Sequence, residues 1–268
     1  MNYYSPKEIA SVFASTGIEK ARLPISKFIV LAILGGVFVA FGGLLSVIVA
    51  GGIPGIGVEN PGLVKLLAGV VFPVGLIMVS VAGADLFTSD CAGMTLPCLQ
   101  KDIKVTVLLK IWVLSYIFNF VGTQIVAYFM ANATELVTHS PYLEYLHSYT
   151  GHKVDQEFYP AFIKGIGANW LVCLGSWMGY AGKDIMSKCI GIWVPVMLFV
   201  TLGFEHSIAN MFFVPAAIYS GADITWGAFL WQNLFPATLG NIVGGAVFVG
   251  YLYWFVYLRG SKTESFPH

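Results

Sequence analysis

Long apolar runs, each able to cross a bilayer as a helix, constrain this sequence more than any other feature. A transmembrane helix needs about 20 consecutive apolar residues, and Leu66 to Ala84 is a run of nineteen residues without a charge. The composition agrees, with 57% hydrophobic and 10% charged residues among 268 and a mean hydropathy of +0.77. The runs lack the alternation of barrel strands. The sequence therefore predicts an all-α membrane protein with six spans, at 28–50, 64–97, 105–130, 158–181, 187–219 and 226–258.

The distribution of lysine and arginine predicts how these spans are oriented. Cytoplasmic loops of membrane proteins carry an excess of basic residues. Basic residues precede span 1, lie around the 2–3 and 4–5 connections and follow span 6: Lys7, Lys20, Arg22, Lys27, Lys101, Lys104, Lys110, Lys183, Lys188, Arg259 and Lys262. The connections 51–63 and 220–225 have none, and 131–157 has only Lys153. We therefore expect both termini on the cytoplasmic side.

The sequence predicts three parts: an N-terminal helix, a transmembrane domain and a C-terminal tail. Ser5, Pro6 and Glu8 form a capping-box pattern with proline in the first turn, and Ile9, Val12 and Phe13 follow on one helical face. We expect residues 1–27 to form a cytoplasmic interfacial helix on the membrane surface. Residues 28–258 form the six-helix transmembrane domain, with repeats at 28–130 and 158–258, and residues 259–268 form a cytoplasmic tail.

The two halves of the transmembrane domain resemble each other. NFVG at 119–122 in span 3 matches NIVG at 241–244 in span 6, and LGG at 34–36 in span 1 is matched to GIG at 165–167 in span 4. With three spans per half, the second repeat is inverted in the membrane, which places a binding or permeation site near the midplane. The many glycines predict close helix contacts: Gly35, Gly36, Gly42, Gly43, Gly165, Gly167, Gly240, Gly244 and Gly245.

Polar breaks interrupt spans 2 and 5, at GADLFTSDCAGM (83–94) and GFEHSIANM (203–211). A charged residue near the bilayer centre costs about 2.5–3.5 kcal/mol on insertion scales, so such residues usually face a cavity. A loop at membrane depth is tolerated where it is buried in protein or lines water. We expect both breaks to fold back into the protein and to meet there.

His206 is the one histidine inside a predicted span. A buried histidine is more often structural, bonded to Glu205 or to a backbone group, but the matching break in the other half favours a functional role. A haem site would need a pair of intramembrane histidines, and EHSIAN is not the HExxH motif of metalloproteases. The four cysteines lack CxxC spacing and are interpreted as small hydrophobes. We expect no cofactor and no metal.

Five motifs carry a resemblance to the formate/nitrite transporter family over residues 5–259. They are GADLFTS, the run Lys110–Asn119, GIGANWLVCLGSWM, FEHSIANMFFVP and NLFPATLGNIVGG, in this order. The resemblance implies a homopentamer of aquaporin-like protomers, each with its own narrow pore for small monovalent anions. It implies a prokaryotic cytoplasmic (inner) membrane and no enzymatic activity.

The resemblance also implies roles for individual residues. His206 corresponds to a central pore histidine and Thr88 to the loop residue that faces it, with Glu205 and Asn210 placed beside them. Lys153 corresponds to a lysine of the outer vestibule and Asn169 to an asparagine near the pore. Two apolar constrictions are implied at Phe72, Leu76, Leu86, Phe87 and Phe199, although each of these would by itself be interpreted as ordinary helix packing.

The leading hypothesis is a channel for formate that operates passively or with proton coupling. Nitrite and hydrosulfide follow as substrates, then acetate and lactate, with protons and the lipid bilayer as further partners and no nucleic acid. His206 either donates a proton to the anion or acts as a fixed positive charge. Two other classes stay open: a neutral-solute pore, which would need NPA-like caps and a filter arginine, and a membrane subunit of a dehydrogenase, which would carry haem.

Overall fold

The computed structural model describes residues 3–260, and regular secondary structure in this range is helical. The predicted tail residues 261–268, including Lys262, lie outside it. The first half contains a surface helix, a long span, a segmented span and a third span. Its helices are α1 (Pro6–Arg22), α2 (Ile25–Gly51), α3 (Pro54–Glu59), α4 (Pro61–Val71), α5 (Val74–Ala82), α6 (Phe87–Gly93), α7 (Thr95–Leu99) and α8 (Val105–Ile125), which continues as a π-helix over Val126–Asn132.

The second half repeats this arrangement, beginning with a short helix that precedes its first span. Its helices are α9 (Tyr142–Val154), α10 (Phe158–Ala181), α11 (Ile185–Thr201), α12 (Ser207–Tyr219), α13 (Trp226–Ala228) and α14 (Phe235–Gly245). The last two belong to one helical stretch, Trp226–Leu258, which includes π-helical segments at Phe229–Leu234, Ala246–Tyr251 and Trp254–Leu258.

Four helical stretches within residues 3–260 are long and apolar enough to cross a membrane: Ile25–Gly51, Pro61–Ala82, Val105–Asn132 and Trp226–Leu258. Helix α10 has 24 residues and is therefore about 36 Å long. The fifth predicted span consists of two shorter apolar helices, α11 and α12, separated by a break. The break in span 2 begins after Ala82, where the polar run 83–94 predicted it, and an additional interruption at Phe72 and Pro73 separates α4 from α5.

Helix α1 has the predicted capping box. The Ser5 amide donates to Glu8 Oε2 (2.7 Å), and the Glu8 amide donates to Ser5 Oγ (3.5 Å). Its apolar face does not lie open to a membrane surface, because Ile9 and Phe13 are buried against helices of the bundle, among them the residues around Trp177. Helix α1 therefore covers one end of the transmembrane domain.

Two asparagines demonstrate the relation between the repeats. Asn119 Nδ2 donates to the carbonyls of Ala32 (2.6 Å) and Asp85 (2.9 Å), and Asn119 Oδ1 accepts the Phe87 amide (2.9 Å). Asn241 makes the same three bonds in the second half. Its Nδ2 donates to the carbonyls of Gly165 (2.8 Å) and Glu205 (2.9 Å), and its Oδ1 accepts the Ser207 amide (2.8 Å).

These bonds confirm the NFVG and NIVG match and correct the other one. Ala32, rather than the LGG run, is the counterpart of Gly165, so the pairing of 34–36 with 165–167 was wrong by two residues. The glycine contacts agree with the corrected register. A Cβ on Gly122 would lie 2.0 Å from the Ile33 carbonyl oxygen, and one on Gly244 would lie 2.3 Å from that of Ile166. Glycine was a less reliable guide to register because it recurs wherever helices approach closely.

Candidate functional site

The second break places His206 at the start of α12. Gly203 has a positive φ of 72°, a left-handed conformation that glycine adopts without a Cβ penalty, and turns the chain away from α11. His206 is the N-cap of α12, where its Nδ1 accepts the Ala209 amide at 3.0 Å. Because Nδ1 is an acceptor in this bond, the hydrogen of a neutral imidazole resides on Nε2. The cap therefore determines which nitrogen can offer a proton.

The first break brings Thr88 to that nitrogen. Gly83, with φ of 80°, ends α5 in the same way, and Thr88 lies in the first turn of α6. Its Oγ1 is 3.0 Å from His206 Nε2, and both side chains are buried. Asn169 Nδ2 and Cys173 Sγ bond the Thr88 carbonyl at 3.0 and 3.2 Å. Asn169 therefore positions the loop, and it also donates to the Asn241 carbonyl at 2.6 Å.

On one side of His206 lies a narrow aromatic chamber. The Phe72 and Phe199 rings meet edge to face with centroids 5.9 Å apart, and the Phe199 ring stacks on the His206 ring at 5.6 Å. The space among them is about 10 Å³ and is lined in addition by Tyr149, Lys153 and others. A single water needs about 10–15 Å³. A hydrated anion therefore cannot pass in this conformation without shedding water.

The other predicted constriction residues belong to the same apolar core, but their side chains contact different parts of the bundle. Leu86 is buried and lines a larger cavity on the far side of His206. Leu76 is buried and faces α10 close to Gly175. The Phe87 ring packs against Tyr116 at 4.9 Å and against Trp112 at 6.4 Å, both on α8. Its contacts point towards α8, and its role in a constriction stays a prediction.

Lys153 and Glu205 form a buried ion pair beside the aromatic chamber. Lys153 Nζ lies 3.0 Å from each Glu205 oxygen, and the two side chains are 6% and 1% exposed. Three side-chain amides donate further hydrogen bonds to the Glu205 carboxylate: those of Gln156 (2.9 Å), Asn210 (2.7 Å) and Asn233 (3.1 Å). Burial alone would lower the pKa of Lys153, but Glu205 more than offsets this and raises it. Lys153 is therefore charged at neutral pH.

A second ion-pair cluster, which was not among the site residues predicted from the sequence, lies at the opposite end of the bundle. Lys20 of α1 pairs with Asp85 (2.5 Å) and with Asp90, both of which are buried. Lys20 precedes Ala32 by twelve positions, as Lys153 precedes Gly165, so the two lysines are repeat counterparts. The signal was present in the sequence, because GAD at 83–85 and GFE at 203–205 both place an acid two residues after the glycine.

The site combines two half-helices, a histidine and a hydroxyl at their junction, and apolar side chains towards both membrane faces. Within residues 3–260 no group of three or more His, Cys, Asp or Glu side chains is arranged to hold a metal ion. Half-helices whose breaks meet inside an inverted repeat define a class of membrane transport protein in which the solute passes at the junction.

The comparisons with known proteins identify the family. The family model described as formate/nitrite transporter matches residues 7–255. This chain therefore belongs to the formate/nitrite transporter family, a family of transport proteins rather than enzymes. It is 43% identical over 272 residues to a "Probable formate transporter" of Methanothermobacter thermautotrophicus, with 96% of this chain and 98% of that protein covered.

Two solved structures share the fold. An "FNT family ion channel" has a TM-score of 0.85 at 27% identity, with 93% of this chain and 98% of that chain covered. A "Pentameric formate channel with formate bound" has a TM-score of 0.76 at 33% identity, with 87% and 98% covered. The predicted fold class, an all-helical membrane protein of this family, is confirmed.

Proposed function

We propose that this protein is a channel for small monovalent anions, with formate as the first substrate. It acts in a prokaryotic cytoplasmic membrane as a homopentamer with one pore per protomer and with both termini in the cytoplasm. The names of the relative from Methanothermobacter thermautotrophicus and of the formate-bound pentamer support this substrate and this assembly. The distribution of lysine and arginine supports the orientation.

The contact between His206 Nε2 and Thr88 Oγ1 carries the proposal. It joins the two breaks in a region that is otherwise apolar. A bare anion that enters such a region loses hydration worth several kcal/mol unless its charge is compensated or removed. The Nε2 hydrogen is the one that His206 can offer, because Nδ1 is engaged by the Ala209 amide. An anion at the junction can share this hydrogen or receive it, in place of Thr88 Oγ1.

The residues around this contact divide the remaining work. Lys153 attracts anions to the outer mouth, since a fixed positive charge raises their local concentration. Phe72 and Phe199 exclude water and hydrated ions from the aromatic chamber between Lys153 and His206. Leu86 and Leu76 close the opposite side. Asn169 holds the loop that presents Thr88, and Glu205 with Asn210 holds Lys153 in place.

The experiment is a flux panel in proteoliposomes that contain the purified pentamer. Formate, nitrite, hydrosulfide, acetate and lactate are compared at two pH values, with internal pH recorded together with flux. We expect formate to move fastest. In the His206→Phe variant, which keeps an aromatic side chain of similar bulk and removes both ring nitrogens, formate flux should fall by about 100-fold or more, as for loss of a polar group that stabilises a passing charge.

Size-exclusion chromatography is the control for His206→Phe. The variant should elute as the same oligomer as the wild-type protein. Undiminished formate flux in the variant would make His206 a structural residue. If nitrite or hydrosulfide moves faster than formate, the proposed substrate is wrong and the proposed channel function stands. Passage of neutral solutes without anions, or the absorption spectrum of a haem in the purified protein, would replace the proposal with one of the other two classes.

A further inference from the structure

The cluster formed by Lys20, Asp85 and Asp90 has no role in the proposed pore, although it borders a large cavity. This cavity, the inner cavity, has a volume of about 580 Å³ and lies between α1 and the first break. Lys20, Asp90 and Leu86 all line it, so the cluster lies beside the apolar constriction on that side. An anion that reaches or leaves Leu86 through the inner cavity passes this cluster.

The cluster contains one more carboxylate than its lysine can neutralise. Lys20 contacts both Asp85 and Asp90, which are 2% and 1% exposed. Asp85 Oδ1 also accepts a hydrogen bond from Ser115 (2.5 Å). Asp90 Oδ2 is buried and finds no hydrogen-bond donor among residues 3–260. With both aspartates ionised the cluster has a charge of −1, and a buried unpaired charge is costly.

The other repeat indicates what completes this site. Asp90 follows Asp85 by five positions, as Asn210 follows Glu205. In the outer cluster the Asn210 amide donates to Glu205 Oε2 at 2.7 Å. An ionised aspartate has no hydrogen to donate. A proton on one carboxyl group of the Asp85 and Asp90 pair supplies the donor that the amide supplies in the other half.

We propose that Asp85 and Asp90 together form a proton-binding site that controls anion passage through the inner cavity. With the proton bound, the cluster is neutral and an anion can approach Leu86. After the proton is lost, the cluster is negative and repels the anion at the mouth. Anion flux therefore increases when the side that the inner cavity faces becomes acidic. The inference rests on the proposed anion transport, and its test includes a measurement that does not.

The other titratable groups around the pair can be separated from it. They are Glu19 and Lys20 on α1, Cys91 on α6, and Cys173 and Tyr180 on α10. Cysteine and tyrosine ordinarily titrate near 8.5 and 10, outside the range of pH 5 to 8 used below. The pKa of Lys20 would be lowered by burial but is raised by Asp85 and Asp90, so Lys20 keeps its charge. Glu19→Gln tests the remaining carboxyl group.

The test compares isosteric variants in vesicles of known protein orientation. The pH on the inner-cavity side is varied from 5 to 8 while the pH on the other side, which can reach Lys153 and His206, is fixed. Formate flux through the wild-type protein should rise about tenfold as the inner-cavity side is acidified, in line with focusing of an ion by a charged mouth. Asp90→Asn should show the high flux at both ends of this range.

The mirror variant and the control sharpen this comparison. Asn210→Asp places the second carboxyl group in the outer cluster and should create a dependence on the outer pH that the wild-type cluster lacks. Glu19→Gln should leave the wild-type profile unchanged. If Asp90→Asn keeps the dependence on inner-cavity pH, or if Glu19→Gln removes it, the proposal is wrong.

An infrared titration of the detergent-solubilised pentamer separates this proposal from the transport function. A protonated carboxyl group has a C=O absorption that an ionised one lacks. The wild-type protein should show one buried carboxyl group losing this band between pH 5 and 8, and Asp90→Asn should not. Absence of the band in the wild-type protein would overturn the proton site even if formate is transported. Its presence without any formate flux would overturn the proposed function instead.

Discussion

The first and second breaks have the same backbone construction and different side chains. In each, a glycine with positive φ ends one helix, an acid follows two positions later, and an asparagine from the third span of that half holds the loop through three hydrogen bonds. Two of the differing positions set the polarity and charge of each break. Leu86 in the first break stands where the second has His206, and Asp90 stands where it has Asn210.

These differences separate what the fold needs from what transport needs. The glycines allow the chain to turn at each break. The asparagines give the backbone amides and carbonyls of the breaks the hydrogen bonds that lipid cannot provide. The differing side chains set the charge of each end. Lys153, Lys164 and Glu205 give the outer cluster a charge of +1, with Lys164 linked through Gln156 (2.6 Å). The inner cluster is negative or neutral, depending on one proton. The repeat therefore supplies a symmetric frame with asymmetric electrostatics.

The largest expected effect follows from the shared frame. Asn119→Leu and Asn241→Leu each remove three buried hydrogen bonds, and at about 1 kcal/mol per bond each should lower the free energy of unfolding by about 3 kcal/mol. The measurement is thermal or denaturant unfolding of the purified protein in detergent. Asn132→Leu is the control, because its bonds to the carbonyls of Ala127 and Ala216 reach neither break. A large difference between the two variants would show that the breaks are not equivalent in stability.

Much of this frame was predictable from the sequence. Span 4 was predicted at 158–181 and α10 covers Phe158–Ala181, while span 1 was predicted at 28–50 and α2 covers Ile25–Gly51. Length and hydropathy determine such elements, since a span must bury about 20 apolar residues in lipid. The breaks were visible as charges inside apolar runs. The match of Asn119 with Asn241 was predicted and is confirmed by their equivalent bonds.

The clusters were harder to predict because their members are far apart in the sequence. Lys20 was used as a marker of orientation, yet it is paired with Asp85 and Asp90 across 65 and 70 positions. Lys153 is the one lysine or arginine of the 131–157 connection, yet it is buried and paired with Glu205. Both pairings depend on how the surface helices α1 and α9 fold over the ends of the bundle. Hydropathy gives no information on that packing.

An intermediate effect should follow from changing the outer charge. Lys164→Gln leaves the Lys153–Glu205 pair in place and lowers the charge of the outer cluster from +1 to 0. At low ionic strength the apparent KM for formate on the outer side should rise by about tenfold, because a less positive mouth concentrates the anion less. The measurement is initial flux against formate concentration in oriented vesicles. The change in KM should shrink at about 1 M salt, because the Debye length is then about 3 Å and more distant charges are screened. An unchanged KM at low salt would contradict an electrostatic role for the outer cluster.

The smallest expected effect concerns Thr88, at the contact between the two breaks. The bond from His206 Nε2 to Thr88 Oγ1 can form with neutral and protonated imidazole, but a hydrogen bond from a charged donor is the stronger one. Thr88→Val removes the acceptor at nearly constant volume and therefore disfavours the protonated form more. If flux requires proton donation by His206, its pH midpoint should move to lower pH by roughly 0.5–1 unit, since 1.36 kcal/mol corresponds to one unit.

Simultaneous recording of current and internal pH in one vesicle preparation decides what this shift means. A proton that accompanies the anion should change internal pH in step with formate entry, and Thr88→Val should shift both responses together. If His206 instead keeps its charge as the anion passes, the same vesicles show current at constant internal pH. Complete loss of flux in Thr88→Val, with the pentamer intact, would contradict the expected shift, because the hydroxyl would then be an obligatory carrier of the proton between His206 and the anion.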